Sequence, residues 1–376
     1  MGSGLGARIV AAAMLLPGLM PLAQAESPPE FNELSVKFLS YEDRQPGLER
    51  IHVSSPTALL NLRLGDQWSV SALGVHDTIS GASPRYHTAV SGASQMHDER
   101  AAYDLKATRY FPRGSLTLGV NGSSEHDYKS QGFSAQGKLS SDDNNTTWTL
   151  GGSESSDRIS PVNFVVIDEH KHTASLFGGV TQVLGVNDIV QLNLGYNRGR
   201  GYFSDPYKFP DNRPRSRDQR TLYVAWNHFV DAQQAALRTS YRLYIDSWGV
   251  TAHTLGLEWQ QPVGHGVSVT PSLRYTTQSA ASFFFGPTYD PALGEPFPPG
   301  YSMGSSALMS ADQRLSAFGA LTGGLKLDWQ VNARLTLDLG VDLYQQRGAW
   351  RLGGNGTTGL ANLSATMFQT GLSWRL

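Results

Sequence analysis

Two histidines in this sequence have the spacing of metal ligands. His170 and His172 stand two residues apart on a predicted strand and therefore share one face, with Asp168 and Glu169 beside them. A sheet can present imidazole and carboxylate ligands to an ion in this way. Exposed histidines that are simply solvated are the more frequent case, and we therefore predict no metal site.

One short run has the residue types of nucleophilic catalysis. His97, Asp98 and Glu99 place a base beside an acid, and serine is abundant in the chain. A hydrolase would also need Ser, His and acid side chains to converge from distant segments. The glycine-rich segment 353–359 lacks the lysine and the following helix of a phosphate-binding loop, so we interpret it as a flexible loop. We predict no catalytic residue and no cofactor.

Composition narrows the class of protein further. The chain has 376 residues, of which 16% are charged and 40% are hydrophobic, with a formal net charge of −2. Soluble domains usually carry about 25% charged residues, so a solvated enzyme surface and a nucleic-acid binder are both disfavoured. The aromatic residues, 10% of the chain, need somewhere to be buried, which argues against disorder. Cysteine is absent, which excludes disulfides, thiolate metal sites and cysteine-attached haem.

The N-terminal residues have the pattern of a secretory signal peptide. Arg8 precedes an apolar run over residues 9–22, and Ala23-Gln24-Ala25 gives a small-x-small cleavage site. Residues 1–25 are therefore predicted to be removed on export. No other window holds the 18 apolar residues that a spanning helix needs, so we expect the exported chain to lack a helical anchor.

The exported part alternates between apolar and polar residues with a period of two, which is typical of β-strands. Residues 315–329 show it most clearly: Leu321, Leu325 and Leu327 alternate with residues that are mostly polar or small. Residues 334–344 repeat the pattern, and residues 368–376 fit a closing strand. Similar stripes occur at 34–38, 58–64, 116–120, 190–196, 237–245 and 267–275.

The connections between these strands are of two kinds that alternate along the chain. The first kind is short and turn-like, and we place it at 65–67, 112–114, 141–145, 185–187, 231–234, 264–266 and 331–333. The second kind is often long and rich in Gly, Pro and charge, and we place it at 42–54, 81–95, 156–168, 199–217, 280–310 and 347–361, with tighter hairpins near 126–127 and 246–247. This asymmetry predicts an all-β fold: one antiparallel transmembrane β-barrel of about 16 strands over residues 26–376, in the lipid of the outer membrane.

Tryptophan positions support the same interpretation. Six of the eight tryptophans fall near one end of the predicted strands, and two fall at the long-loop end. Aromatic girdles at both membrane interfaces would produce this distribution. The six are Trp68, Trp148, Trp226, Trp259, Trp329 and Trp374, and the two are Trp248 and Trp350.

The face that points away from lipid carries ionisable residues of both signs, so strong selectivity for anions or cations is not expected. A conducting lumen and a merely solvated interior both fit the pattern. The candidate lumen-lining residues are Asp98, Arg100, Asp104, Lys106, Arg238, Arg242, Arg274, Lys326, Asp338 and Asp342.

Two loops combine aromatic residues with dense charge or proline. Residues 201–218 hold the run Tyr202-Phe203-Ser204-Asp205-Pro206-Tyr207-Lys208, and residues 280–310 hold Phe283-Phe284-Phe285 with five prolines. A loop of about 30 residues is long enough to fold into the lumen or cap its mouth. Surface decoration of the barrel is the alternative.

Five short motifs stand out along the exported chain: 80–84, Met96-His97-Asp98-Glu99-Arg100, 201–208, 211–214 and 311–316. Together they resemble an uncharacterised Gram-negative family that is predicted to form outer-membrane β-barrels. Members of that family are often encoded near a small lipoprotein and an enzyme that attaches flavin mononucleotide (FMN) to exported proteins. The resemblance therefore implies a conduit or scaffold for an exported lipoprotein or flavoprotein, in an extracytoplasmic redox system. It implies no functional residue.

The sequence thus predicts a passive outer-membrane channel or a scaffold for an exported partner. An outer-membrane hydrolase or acyltransferase with a rim site that uses His97, Asp98 or His170 is the alternative. A secreted soluble β-protein is a third hypothesis, because a soluble sandwich would show the same alternation.

Overall fold

A computed structural model of the protein describes residues 27–82, 95–208, 210–286, 288–290, 295–297, 300–302 and 304–376. The predicted signal peptide lies outside these residues. Among the residues described, no helix is long and apolar enough to cross a membrane.

Sixteen antiparallel strands form one closed barrel, so the predicted fold class and strand number are confirmed. Each strand pairs with its neighbours in the chain, and the last strand pairs with the first. The strands are β1 (Glu33–Gln45), β2 (Leu48–Leu64), β3 (Trp68–Ala82), β4 (Gln95–Phe111), β5 (Gly114–Ser124), β6 (Tyr128–Ser140), β7 (Thr146–Ile159), β8 (Glu169–Val183), β9 (Asp188–Gly201), β10 (Ser216–Val230), β11 (Ala235–Asp246), β12 (Thr251–Gly264), β13 (Val267–Gln278), β14 (Phe318–Gln330), β15 (Leu335–Arg347) and β16 (Leu363–Arg375).

The outer face of the barrel is built from the apolar member of each alternating pair. Leu150, Leu194 and Leu325 are 63%, 57% and 56% exposed, values that a soluble protein would rarely tolerate for so many leucines on one face. Hydrocarbon offers no hydrogen-bond partner, so a lipid-facing sheet must pair every strand edge. The pairing of β1 with β16, from Glu33 opposite Arg375 to Arg44 opposite Ser364, removes the last free edge.

The two ends of the barrel differ as predicted, with one correction. One end carries only short turns, and the other carries the long connections at 202–215, 279–317 and 348–362. The prediction of a long connection at 42–54 is wrong, because β1 and β2 continue through it and only residues 46 and 47 separate them. Gly47 adopts a φ of +72°, which suits this tight turn, and Tyr41 and Val53 extend the buried inner face.

The aromatic girdle at the short-turn end follows the predicted pattern. Trp68, Trp148 and Trp374 are 43%, 48% and 44% exposed on the outer face, and the side chains of Trp226 and Trp329 are exposed to a similar degree. The assignment of Trp248 to a second girdle is wrong. Its side chain is 2% exposed, because the β11–β12 turn directs it into the mouth of the barrel rather than toward lipid. Outer-face aromatics further along the strands, such as Tyr103, occupy the upper part of the lipid-facing band.

We expect Leu194→Arg to destabilise the barrel in lipid vesicles by about 2–4 kcal/mol, because it places a guanidinium in the apolar band. Denaturant unfolding in vesicles measures this change. The matched control is Ser153→Arg, which adds the same group on the lumenal face, opposite Ser134 and Ser175. Equal destabilisation by both variants would contradict the assignment of the two faces.

Candidate functional site

The ten residues predicted to line the lumen occupy strand positions out of phase with the exposed apolar stripe. Asp104, for example, lies between Tyr103 and Leu105, which are 49% and 44% exposed. Most of the ten make ion pairs along or across strands: Arg100 with Asp77, Lys106 with Asp104 at 3.0 Å, Arg238 with Glu258 at 3.8 Å, Lys326 with Asp328 at 2.7 Å, and Asp338 with Lys37 at 3.4 Å. The inner wall is therefore cross-braced by charge.

The Lys37–Asp338 pair spans an intervening strand. Gly371 of β16 lies between the two residues in register. A Cβ at Gly371 would stand 2.5 Å from Asp338 Oδ1, so any larger residue would displace the carboxylate. Glycine at this position therefore permits the pair to form.

Part of the inner wall is apolar, a feature that the alternation did not predict. Leu39, Ile51, Val53 and Ile79 form a buried cluster with Tyr41 on the inner face of β1–β3. Above it, Asp43 and Arg50 pair at 3.4 Å with both side chains 2% exposed. The inward direction of Arg50 follows from a bulge at the Asp43/Arg44 step of the β1–β2 ladder. The long-loop half of the lumen is thus narrowed on this side by packed side chains.

A cavity of about 280 Å³ lies against the opposite wall of the lumen. Three arginines from different elements line it: Arg217 of β10, Arg242 of β11 and Arg314 of the long connection between β13 and β14. Arg217 pairs with Asp246 at 2.6 Å. In the part of the chain that the structure describes, Arg242 forms no ion pair. The cavity lining contains no acidic side chain, although Asp246 and Asp312 neutralise Arg217 and Arg314 from behind it, so Arg242 is the cation that a small anion would meet there.

Two long connections meet in the mouth above this cavity, and we call residues 202–215 together with 279–286 and 304–317 the cap. Short strands 211–212 and 309–310 pair within it. Backbone bonds tie the cap to the barrel, since the Ser282 N–H donates to Trp248 O and the Ser279 N–H donates to Thr251 O. On the far side, Gln45 Nε2 of β1 donates to Gln313 Oε1 at 2.9 Å. The cap therefore reaches from the β11–β12 turn to the first strand.

Six charged side chains inside the cap form one buried network, which we call the ionic knot. It joins Asp205, Lys208, Asp211 and Arg213 of the first connection with Asp312 and Arg314 of the second. Lys208 Nζ lies 2.9 Å from Asp312 Oδ2, Arg213 Nη2 lies 2.8 Å from the same oxygen, and Arg314 also contacts it. Arg213 Nε lies 2.9 Å from Asp211 Oδ2. Three acids thus meet three bases, and Asp312 is 2% exposed.

The knot shifts the ionisation of its members in both directions. Burial opposes the charged form of Asp312, but Arg314, Lys208 and Arg213 together hold the pKa of its carboxyl well below its usual value. Burial raises the pKa of Asp211, against the opposing effect of Arg213 and Lys208. Burial also lowers the pKa of the Lys208 ammonium. Asp312 is therefore the anion on which the three cations depend.

Aromatic packing holds the cap from below. Trp248 meets Phe203 and Phe283 edge to face, with ring centroids 5.5 Å and 5.2 Å apart. The Arg217 guanidinium lies 4.1 Å from the Trp248 ring centroid, a cation–π contact at the roof of the cavity. Trp248 thus anchors both connections to the barrel wall.

The first connection also extends across the mouth toward β4–β6. The Tyr207 hydroxyl donates to Asp127 Oδ2 at 2.8 Å and accepts from the Val162 N–H. Burial, together with the hydrogen bond to Asp127, raises the pKa of Tyr207. The carboxylates of Asp127, Asp98 and Glu125 lie within 4.8 Å of one another. Asp98 therefore belongs to an inner-face acidic group beneath the cap.

Among the residues considered for catalysis, Asp98 and His170 have described side chains, and the structure does not bring these two together. His170 and His172 share a face as predicted, but it is the outer face, where His170 Nε2 lies 3.4 Å from Asp168 Oδ1. Glu169 turns to the other side and binds Arg215. Asp98 is on the inner face, and the side chain of His97 lies outside the described residues. A rim enzyme that joins Asp98 to His170 would need them on one face of the wall.

A G-x-S-x-G match that is easily passed over in the sequence is Gly300-Tyr301-Ser302-Met303-Gly304. This motif indicates a nucleophilic serine when the serine stands on a turn between a strand and a helix. Here it lies in the loop between β13 and β14, and Met303 is outside the described residues. The described residues around it supply no helix, so the motif lacks the context that would support a nucleophile.

We expect Asp312→Asn to weaken docking of the cap by about 3–5 kcal/mol, because it leaves the buried Lys208 and Arg213 and the half-buried Arg314 with too little negative charge. Trypsin cleavage after Lys208 and Arg314 in the folded barrel should therefore accelerate. The control is Asp66→Asn, which breaks an exposed pair with Arg63 that is worth about 0–1 kcal/mol. Cleavage at the wild-type rate in Asp312→Asn would show that the knot does not hold the cap.

Comparison with solved structures gives barrels of the same kind. A bacterial polysaccharide outer-membrane secretin matches with a TM-score of 0.52 at 8% identity, over 92% of this chain and 98% of that one. OccK2 (OpdF) of Pseudomonas aeruginosa, in complex with glucuronate, matches with a TM-score of 0.46 at 12% identity, over 92% and 96%. A Pseudomonas aeruginosa FadL homologue gives 0.44 at 11%, over 92% and 90%. At these identities the likeness shows the fold alone.

The lipid-facing band and the closed barrel of 16 strands identify an outer-membrane protein, so the predicted location is confirmed. Among curated proteins no match is found. The family described as "Protein of unknown function (DUF3570)" matches residues 92–167 and 162–367, which confirms the resemblance to an uncharacterised family. These segments cover most of the barrel, and the chain belongs to the DUF3570 family.

Proposed function

We propose that this protein is an outer-membrane channel for small solutes whose extracellular mouth is held shut by the cap. The observation that carries the proposal is the ionic knot, which joins two connections that are far apart in sequence across the mouth. Surface decoration would not need five charged residues packed around a carboxylate that is 2% exposed. A buried network of this kind fixes one arrangement of the loops.

A channel is favoured over an enzyme by the positions of the ionisable residues. The charged pairs of β4, β11 and β14 line the inner wall, where they can solvate a path for polar solutes. Asp98 and His170, the two candidate residues for a hydrolase or acyltransferase whose side chains the structure describes, stand on opposite faces of the wall, which favours a channel. We therefore propose that the protein transports rather than catalyses.

The solute that the lumen suits best is a small anion. The cavity of about 280 Å³ beneath the cap is lined by Arg217, Arg242 and Arg314 without an acidic side chain. Guanidinium groups bind carboxylates and phosphates through paired N–H donors. The lumen as a whole carries both signs, so this preference is local to the cavity and should be moderate.

A finer proposal concerns the partner. The family resemblance supports an exported lipoprotein or flavoprotein as the protein that works with this barrel, in a flavin-linked redox system outside the cytoplasm. Without cysteine, the chain cannot hold iron–sulfur or covalently attached haem through thiolates, so its role in such a system would be passage or support. Co-purification of the barrel from its native membrane, followed by detection of protein-bound FMN, tests this pairing.

We expect the wild-type protein to show rare stepwise conductance in planar bilayers and Asp312→Asn to show more frequent openings, because the undocked cap no longer blocks the mouth. Asp328→Asn, which removes a lumenal carboxylate far from the cap, should leave the opening frequency unchanged. A heat-modifiable, folded barrel that conducts in neither form would contradict the channel and favour a plugged scaffold.

Measurement of ion selectivity tests whether the cavity sets the anion preference. We expect Arg242→Gln to reduce the anion preference, measured as the reversal potential across a potassium chloride gradient. Lys326→Gln removes one lumenal cation as well, but this lysine pairs with Asp328 away from the cavity. Equal shifts in both variants would show that net lumenal charge, rather than the cavity, sets the selectivity.

A further inference from the structure

The outer surface of the barrel carries a cluster of basic residues on five adjoining strands, β6 to β10. We call this cluster the outer basic face. Five permanent cations and two histidines share it with three carboxylates, those of Glu154, Asp168 and Asp218. The basic residues are Lys129, Arg158, His170, His172, Arg198, Arg200 and Arg220.

Strand register makes this face continuous. Lys129 of β6 stands opposite Arg158 of β7, which in turn stands opposite His170 of β8. One row lower, His172 stands opposite Arg200 of β9. The face therefore extends over five of the 16 strands, and basic side chains on neighbouring strands are close enough to contact one ligand.

The depth of the face relative to lipid follows from the same register. Leu194 and Leu222 form a lipid-facing pair, and the next outward-facing pair above it is Tyr196 with Arg220. Arg198 and Arg200 follow at successive outward positions. Two residues of a tilted strand climb about 5 Å, so Arg220 and Arg198 lie about 5–10 Å above the last leucine pair. That interval is the headgroup layer of a bilayer, which is about 5–7 Å thick on each side.

Several of these cations are available to a ligand. Among the residues that the structure describes, Arg220 and Lys129 form no ion pair. Asp218 is shared between Arg198 at 3.9 Å and Arg200 at 3.6 Å, and these arginines remain 58% and 44% exposed. Only Arg158 is closely paired, with Asp168 at 2.5 Å. One carboxylate thus leaves two arginines partly uncompensated.

The described outer faces of β1 and β4 show no such excess of cations. On the outer face of β1 at the same end, Arg44 is matched by Glu42 at 3.0 Å, and β4 presents Glu99. If the protein needed only some charge above the lipid, the acidic or balanced residues of β1 and β4 would serve as well as the basic residues of β6–β10. Concentrated arginine at headgroup depth is the chemistry that recognises phosphate.

We propose that the outer basic face binds phosphate-bearing lipid headgroups of the outer leaflet, with Arg198, Arg200 and Arg220 as the principal contacts. This site lies outside the lumen, and it does not depend on whether the protein conducts. The bound lipid would surround β7–β10 and fix the height of this wall in the membrane. Binding should weaken as salt rises, because exposed charges are screened.

The test uses the full-length protein refolded in neutral detergent, with diphosphorylated lipid A added as the probe. We expect saturable binding and a higher temperature for loss of heat-modifiable mobility. The triple variant Arg198→Gln/Arg200→Gln/Arg220→Gln should bind about 100-fold more weakly, since each basic residue near an anionic surface contributes about fivefold. Arg44→Gln is the matched control, because its side chain is also 58% exposed on the outer face.

Three outcomes would overturn the proposal. The first is unchanged affinity in the triple variant, and the second is equal stabilisation by lipid A from which both phosphates have been removed. The third is binding of free inorganic phosphate as tight as that of the lipid, which would indicate a site for a soluble anion instead. Unheated gel mobility establishes that each variant is folded before its affinity is compared.

Discussion

The structure depends on one constraint, which is that the hydrocarbon of a membrane offers no partner to a backbone N–H or C=O. Sixteen strands satisfy one another only because β16 returns to β1 and leaves no edge. Once the backbone is satisfied by closure, side chains are free to divide by face alone. Of two successive residues along a strand, the apolar one contacts lipid and the polar one faces the lumen. What is specific to this protein is then carried by the inner face, by the connections and by the charged outer positions above the apolar band.

That division explains how much of the fold was predictable. A period of two is a local property, so residues such as Leu325 and Lys326 could be assigned to opposite faces from the sequence, and alternating short and long connections indicated the strand number. The first hairpin was misjudged because the charge of residues 42–54 looks like a loop. In fact Asp43 and Arg50 neutralise each other inside the barrel. Polarity of a segment does not reveal whether its partner is water or another side chain.

The candidate site was predictable only as a set of segments. Residues 201–218 and 280–310 were recognisable as unusual connections, but Arg213 and Asp312 are 99 positions apart, and no local pattern indicates that they meet. Trp248 was misassigned for the same reason. A tryptophan near the end of a strand fits a membrane girdle, and its inward direction is determined by the distant Phe203 and Phe283. Long-range contacts of this kind follow from the closed barrel and not from the composition of any one segment.

The bond between Gln45 and Gln313 has a consequence for assembly. It joins the end of the first strand to a connection that precedes the last three strands, so the cap can complete its attachment only when the first and last parts of the chain have come together. A barrel whose seam is still unpaired would hold its cap from one side alone. Completion of the wall and full attachment of the cap are therefore coupled steps of assembly.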